Sequence, residues 1–264
     1  MKKKILVIGT GGTIASTRGE RICLDNPFKI IDCVNVDDVS FECVSPFSIL
    51  SENMSLDYWE RLIDYLNSVD FEKYLGVIIL HGSDTLAYTG AILGNIFYDA
   101  PIVLVAGNLP PEEPGSNACI NFCNAVDFIR ENPKGVFISY DAILPATRVE
   151  NINSNDELLL SGVGADRLIN SSFKKKNILV IHPYVGICYE NYNLDGVDAV
   201  LHTMYHSATC PQAVLDFISR CEGAGVRFCF VTTKSKAEYE SSNDFKNIIF
   251  NSTLENAYAR LLLS

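Results

Sequence analysis

Ile5-Leu6-Val7-Ile8-Gly9-Thr10-Gly11-Gly12-Thr13-Ile14-Ala15-Ser16 runs from four apolar residues straight into glycines interleaved with hydroxyls. An apolar run without alternation reads as a parallel strand covered on both faces, and the glycines after it read as a turn at its carboxyl end. Similar runs recur at Val77–Leu80, Ile102–Ala106, Val136–Ser139, Ile178–Ile181, Ala199–Leu201 and Arg227–Val231. Between them lie stretches with apolar residues at helical spacing: Leu56–Val69, Thr85–Tyr98, Ser116–Arg130, Cys210–Glu222 and Leu254–Leu263. Strand and helix alternate, which predicts an α/β fold: a doubly wound parallel sheet of the Rossmann or flavodoxin-like kind, followed by a smaller α/β C-terminal domain.

The polar, basic stretch Ser171-Ser172-Phe173-Lys174-Lys175-Lys176-Asn177 precedes a new apolar strand, as an interdomain linker does. It sets the expected domains at residues 1–173 and 174–264. Residues 151–167 are polar at first and then reach Ser161-Gly162-Val163-Gly164, which reads as an excursion over the sheet. With 264 residues, 48% of them apolar, the chain can bury a large core. Thirty-two acidic against 21 basic side chains leave a formal charge of -11, which repels phosphate backbones and anionic lipid, so neither nucleic acid nor a membrane is an expected partner. Nine cysteines without a C-x-x-C pair read as reduced, mostly buried thiols, with Cys119 and Cys123 sharing a helix face for core packing. The opening Met-Lys-Lys-Lys leads into too short an apolar run for a signal peptide, and the expected location is the cytoplasm.

Ligands of open α/β sheets sit at the carboxyl ends of strands near a topological switch point. Two turns qualify: Gly9–Ser16, and His81-Gly82-Ser83-Asp84-Thr85 after the Val77–Leu80 run. The first also fits the opening of G-x-G-x-x-G, but Ile14 stands where the third glycine belongs, and its branched side chain would obstruct helix packing. In the second, Ser83 or Asp84 is placed to cap the following helix. Together the turns offer a hydroxyl on a glycine loop, a second hydroxyl and a carboxylate: a nucleophile, a relay and an orienter for acyl transfer, with exposed backbone N–H groups for an oxyanion.

Thr10-Gly11-Gly12-Thr13-Ile14-Ala15 and His81-Gly82-Ser83-Asp84-Thr85-Leu86-Ala87-Tyr88-Thr89 resemble the two signature motifs of the bacterial-type (type I and II) asparaginase/glutaminase family, at about the family's separation. Ser51-Glu52-Asn53-Met54-Ser55-Leu56-Asp57-Tyr58-Trp59 is similar to its substrate loop, in the form of the cytoplasmic enzymes and of the amidase subunit of archaeal glutamyl-tRNA amidotransferase. Ala146-Thr147-Arg148-Val149 and, more distantly, Leu194-Asp195-Gly196-Val197 and Tyr205-His206-Ser207 extend the likeness. The resemblance implies an amidohydrolase that splits asparagine's side-chain amide through an acyl-threonine. Thr13 is then the nucleophile, Ser83 and Asp84 the second hydroxyl and its carboxylate, Ser51, Glu52 and Gly82 the substrate-binding groups. It further implies no metal or organic cofactor, a small amino-acid amide as substrate, and a homodimer or homotetramer.

The chain departs from the family's pattern. Ser83 stands where threonine is usual, and no tyrosine occurs in Arg18–Asn26, where the family presents one. The family's lysine two residues after the Arg-Val pair is replaced by Asn151, which cannot act as a base at neutral pH. The C-terminal domain is also short for the family. These departures keep a second reading open, a catalytically weakened homologue that binds a small amino acid as a sensor or binding protein; a third, a nucleotide-dependent oxidoreductase, rests on the glycine turn alone. His202 and His206 have zinc-helix spacing but lack the glutamate of H-E-x-x-H and are not expected to hold a metal.

Overall fold

The computed structural model describes residues 3–33, 38–155, 157 and 172–264, and the chain forms two compact units, Met1–Leu160 and Ser161–Ser264. Of the polar stretch expected to pass over the sheet, residues 156 and 158–167 lie outside the described residues, as does residue 171 of the linker reading.

The first unit carries strands β1 (Lys3–Gly9), β2 (Ser16–Arg18), β3 (Ile22–Leu24), β4 (Val39–Val44), β5 (Gly76–Leu80), β6 (Ile102–Val105), β7 (Val136–Tyr140) and β8 (Ala142–Pro145). Its helices are α1 (Leu56–Asn67), α2 (Leu86–Ile96) and α3 (Ala118–Arg130). The main sheet runs β4-β1-β5-β6-β7-β8, parallel through β7, with β8 folding back antiparallel. β1 is paired on both sides, Val7 standing opposite Cys43 and Ile78. The chain leaves β1 toward one edge and returns on its other side, so the strand order reverses between β1 and β5. That reversal is the switch point at which doubly wound sheets bind ligands.

Burial explains the lack of alternation. Every residue of β5 and β6 is buried, as are Ile5, Leu6, Val7 and Ile8, because helices cover both faces of a sheet whose crossovers are helical. On one face, Phe122, Ala125, Val126 and Ile129 of α3 pack with Val7, Ile78 and Val103. In α1, Trp59, Leu62, Ile63 and Leu66 form the buried stripe that their spacing predicts. No helix follows the glycine turn of β1: a single 3-10 turn, Thr13–Ala15, leads into the β2–β3 hairpin. A dinucleotide fingerprint needs a helix N-terminus there for the pyrophosphate, so this topology leaves the oxidoreductase reading without support.

The second unit has strands β9 (Ile178–Ile181), β10 (Ala199–Thr203), β11 (Arg227–Val231) and β12 (Ile248–Ile249), with helices α4 (Val214–Gly223) and α5 (Leu254–Leu262). They form a parallel sheet ordered β12-β11-β10-β9. Val214, Phe217 and Cys221 of α4 pack on one face, Ala257 and Leu261 of α5 on the other. Thr253 caps α5, its hydroxyl oxygen accepting from the Asn256 backbone N–H. His202 lies in this core, hydrogen-bonded to the Tyr189 hydroxyl at 2.9 Å, so it is a packing residue with a satisfied ring.

The cysteines depart from expectation. Cys33 and Cys119 are joined in a disulfide, and of the seven free thiols only Cys210, Cys221 and Cys229 are buried, while Cys23, Cys43 and Cys188 are exposed. Cys119 therefore shares its helix face with Cys123 but is bonded to another segment. Spacing carries no information on such a pairing, because partners 86 residues apart meet only when the 3-10 segment Pro27–Cys33 docks on α3.

Two buried histidines make acid sensitivity predictable. Burial pulls both His81 and His202 down from 6.5 to about 4, so the folded chain resists a proton that the unfolded chain accepts. Stability is thus expected to be full above pH 6.5 and to fall as pH drops toward 4, by on the order of 3 kcal/mol for the fully buried His81. Urea-unfolding midpoints at pH 7 and pH 4.5 measure this; His81→Gln should flatten its share, and an unchanged slope in that variant would reject the assignment.

Candidate active site

Three segments meet at the carboxyl ends of β1, β4 and β5: the glycine turn, the 3-10 turn Ser51–Asn53 and the 3-10 turn Ser83–Thr85. Their backbones are stitched together. The Thr10 N–H and hydroxyl both donate to the Leu80 carbonyl, at 3.0 and 2.8 Å, and so fix the β1 turn to the end of β5. Ile49 N–H donates to the Thr10 carbonyl at 3.0 Å, and Gly12 N–H donates to the Ile49 carbonyl at 2.8 Å, which ties the same turn to the segment before Ser51.

Gly12 and Gly82 make the approach possible. Gly12 has φ 81, and a Cβ there would overlap the backbone of Gly82; a Cβ on Gly82 would overlap the Ser51 side chain. Each glycine immediately precedes a hydroxyl residue, Thr13 or Ser83, so the contact sets those two side chains out from adjacent backbones. Gly12→Ala is expected to cost roughly 1–3 kcal/mol for the positive φ alone, more for the collision, and to part the turns. A thermal melt with a binding or turnover assay checks it; wild-type values in both would mean the turns have room to separate.

Thr13 and Ser83 are half-buried, Gly82 and Ser51 buried, Asp84 and Glu52 exposed. The expected capping role does not materialise: neither Ser83 nor Asp84 caps a helix, and α2 begins at Leu86 after Thr85 with no side-chain cap. The intervening 3-10 turn explains this, since it makes Thr85 the residue before α2 and leaves Ser83 and Asp84 earlier in the chain than the cap position. Asp84 instead accepts a hydrogen bond from Ser51 Oγ at 3.2 Å, and Thr85 Oγ1 donates to the Ser51 carbonyl at 3.0 Å. Asn151 reaches the same place: its Nδ2 donates to the Asp84 backbone carbonyl at 2.6 Å. The structure therefore brings Ser51, Gly82, Asp84, Gly12 and Asn151 together, with Thr13 and Ser83 next in chain to the paired glycines; Glu52 stands exposed beside Ser51.

The residues that hold this arrangement are less legible in sequence. The β2–β3 hairpin, which continues from Thr13, is clasped to the loop after β6, Thr17 Oγ1 donating to Glu112 at 2.5 Å and Arg18 pairing with Glu113 at 2.9 Å, and Lys29 of the following 3-10 segment Pro27–Cys33 pairs with Glu112 at 3.0 Å. The Thr17 hydrogen bond, with Lys29 adding to it, holds the Glu112 carboxyl down at about 2. Only the run of charges Glu112-Glu113 hinted at it. Beneath the Ser83 turn, His81 is fully buried and bonded to Thr89, which is bonded to Trp59. Chemically the site offers hydroxyls, a carboxylate and backbone donors, the parts needed to open an amide by acyl transfer.

A family model described as "Asparaginase, N-terminal" matches residues 4–179. An L-asparaginase of Thermococcus kodakarensis is 31% identical over 196 residues, covering 69% of this chain and 58% of that protein. A glutamyl-tRNA(Gln) amidotransferase component of Sulfurisphaera tokodaii is 34% identical over 140 residues, 50% of this chain and 31% of that one. The matched region thus spans between about a third and three fifths of these curated relatives. Among solved structures, L-asparaginase I from Vibrio cholerae aligns with TM-score 0.81 at 20% identity, covering 100% of this chain and 92% of its own. A probable cytoplasmic L-asparaginase from Campylobacter jejuni aligns with TM-score 0.75 at 22% identity, covering 99% and 94%. At these identities the structures share the fold.

Proposed function

Because the chain belongs to the asparaginase family, we propose that it hydrolyses the side-chain amide of a small amino acid, asparagine above all, to the carboxylate and ammonia. What supports this reading is the Gly12–Gly82–Ser51 contact at the switch point, in which Thr13 follows Gly12 in the chain and Ser83 and Asp84 follow Gly82. Thr13 Oγ attacks the amide carbonyl, its proton leaving through the Ser83 side, and backbone N–H groups of the turns hold the oxyanion. The C–N bond breaks as the nitrogen takes up a proton, ammonia departs, and an ester on Thr13 remains. Water then adds to the ester carbonyl and releases the acid and the threonine hydroxyl. Asp84, held by Ser51, takes the substrate's ammonium end, and Ser51 with Glu52 its α-carboxylate and α-amino ends. No cofactor is assigned a role.

We also propose a cytoplasmic homodimer or homotetramer. No helix among the described residues is long and apolar enough to cross a membrane.

One observation favours a second reading. Asn151, where the family places a lysine, is bonded to the Asp84 carbonyl, so the proton path past Ser83 has an amide where a base is expected. A protein with this change would keep the amino-acid pocket and lose turnover, serving as a sensor or binding protein. Ammonia release from L-asparagine, L-glutamine and D-asparagine decides between the readings: release supports the hydrolase, whereas none, with aspartate still raising Tm, supports the binding protein.

A further inference from the structure

Four groups outside the reacting set form one directed chain. Trp59 Nε1 of α1 lies 2.9 Å from Thr89 Oγ1 of α2, Thr89 Oγ1 lies 2.9 Å from His81 Nε2, and His81 Nδ1 lies 2.8 Å from the Gly82 carbonyl. Trp59, Thr89 and His81 are all buried. Proton counting leaves one arrangement for a neutral ring. An indole nitrogen only donates and a carbonyl only accepts. The Thr89 oxygen therefore accepts from Trp59, and its single hydrogen goes to His81 Nε2. The ring's one proton is then on Nδ1, donated to Gly82.

The two ends of this chain reach both halves of the site. Gly82 is the residue before Ser83 and lies against Gly12 and Ser51. Trp59 sits in the first turn of α1, its backbone N–H donating to the Ser55 carbonyl, and α1 begins just after the Ser51–Asn53 turn. We propose that Thr89 is a positioning residue that locks the substrate turn Ser51–Asn53 to the Ser83–Asp84 turn through the ordered chain Trp59 to Thr89 to His81 to Gly82. The assignment of a consequence for turnover rests on the amide-hydrolysis reading; the chain itself does not.

The test joins a spectroscopic and a kinetic measurement on the full-length protein. Long-range 1H–15N spectra of the imidazoles at pH 7, with His81 assigned through His81→Gln, are expected to show the proton on Nδ1 and a bare, hydrogen-bonded Nε2. Thr89→Val removes the hydroxyl while keeping the shape. It is expected to lower kcat by about 10–100-fold with a smaller rise in KM, since small misplacements of reacting groups cost that much. Thr89→Ser should restore both the His81 signal and most of kcat, which a role in packing alone would not do. Should Thr89→Val fail to fold, Trp59→Phe removes the N–H donor together with part of the buried ring and is expected to lower kcat in the same direction; wild-type kcat in that variant would overturn the proposal. A proton on Nε2, or a folded Thr89→Val with wild-type kcat, overturns the proposal. If the wild type releases no ammonia, the hydrolase reading has failed, and the chain is tested by the His81 spectrum and by aspartate affinity, expected to weaken in Thr89→Val; unchanged affinity then overturns it.

Discussion

Thr13→Ala is expected to abolish ammonia release, by on the order of 10⁴-fold or more, because it deletes the atom proposed to form the acyl ester. The fold should survive. The hydroxyls that brace the glycine turn belong to other residues: Thr10 holds the Leu80 carbonyl at 2.8 Å and Ser16 holds the Gly12 carbonyl at 2.9 Å. Thr13 is half-buried, and removing its side chain leaves those bonds in place. Substitutions away from such bracing shift stability by about 0.5 kcal/mol or less, so Tm should scarcely move. Aspartate should still raise Tm in the variant, since Ser51 and Asp84 are untouched. Ammonia release at the wild-type rate would remove Thr13 from the nucleophile's role.

Asn151→Lys is the complementary change, and its expected effect is a gain. Asn151 is anchored on the Asp84 carbonyl at 2.6 Å, so a lysine there starts from the wall of the Ser83–Asp84 turn. General base catalysis typically contributes ~10²–10⁴-fold, and restoring it should raise kcat toward the lower end of that range, on the order of 10²-fold. The gain should appear in kcat, with KM little changed, because Ser51 and Glu52 are not altered. Steady-state ammonia release from wild type, Asn151→Lys and Asn151→Ala separates the cases. Equal rates in all three would show that no proton passes this position, and a silent wild type made active by lysine would mark the native chain as a binding protein.

The fold's main lines were legible because the buried parallel strands and their helices each carry an unambiguous pattern: the runs at Ile5–Ile8 and Val77–Leu80 are apolar throughout since both faces are covered. The strands that carry no clear sequence pattern stand at edges or are very short. β4 reads Val39-Ser40-Phe41-Glu42-Cys43-Val44, half-exposed and interrupted by polar residues, because among the described residues only β1 pairs with it. β8 ends in Pro145, which an outer strand tolerates and an inner one does not. The hairpin strands β2 and β3 have three residues each and β12 two, too few for any period to register. In the site, the two motif turns were visible, and the substitution at Asn151 was visible as a departure. What sequence could not give was contact: that Asn151 lands on Asp84, that Cys33 bonds Cys119, and that Thr85 rather than Ser83 or Asp84 ends up beside α2.

The order β4-β1-β5 also bears on how the protein reaches its working state. Thr10 is bonded to Leu80, seventy positions further along the chain, and nothing nearer in sequence supplies that partner. The glycine turn that carries Thr13 is therefore synthesised long before the strand that completes it. Closing so long a loop is paid in entropy before any contact rewards it, which places docking of β5 on β1 among the slow steps of folding. Recovery of ligand binding during refolding consequently reports on assembly of the central sheet, and a nascent chain that has not yet released β5 from the ribosome carries a threonine with no site around it.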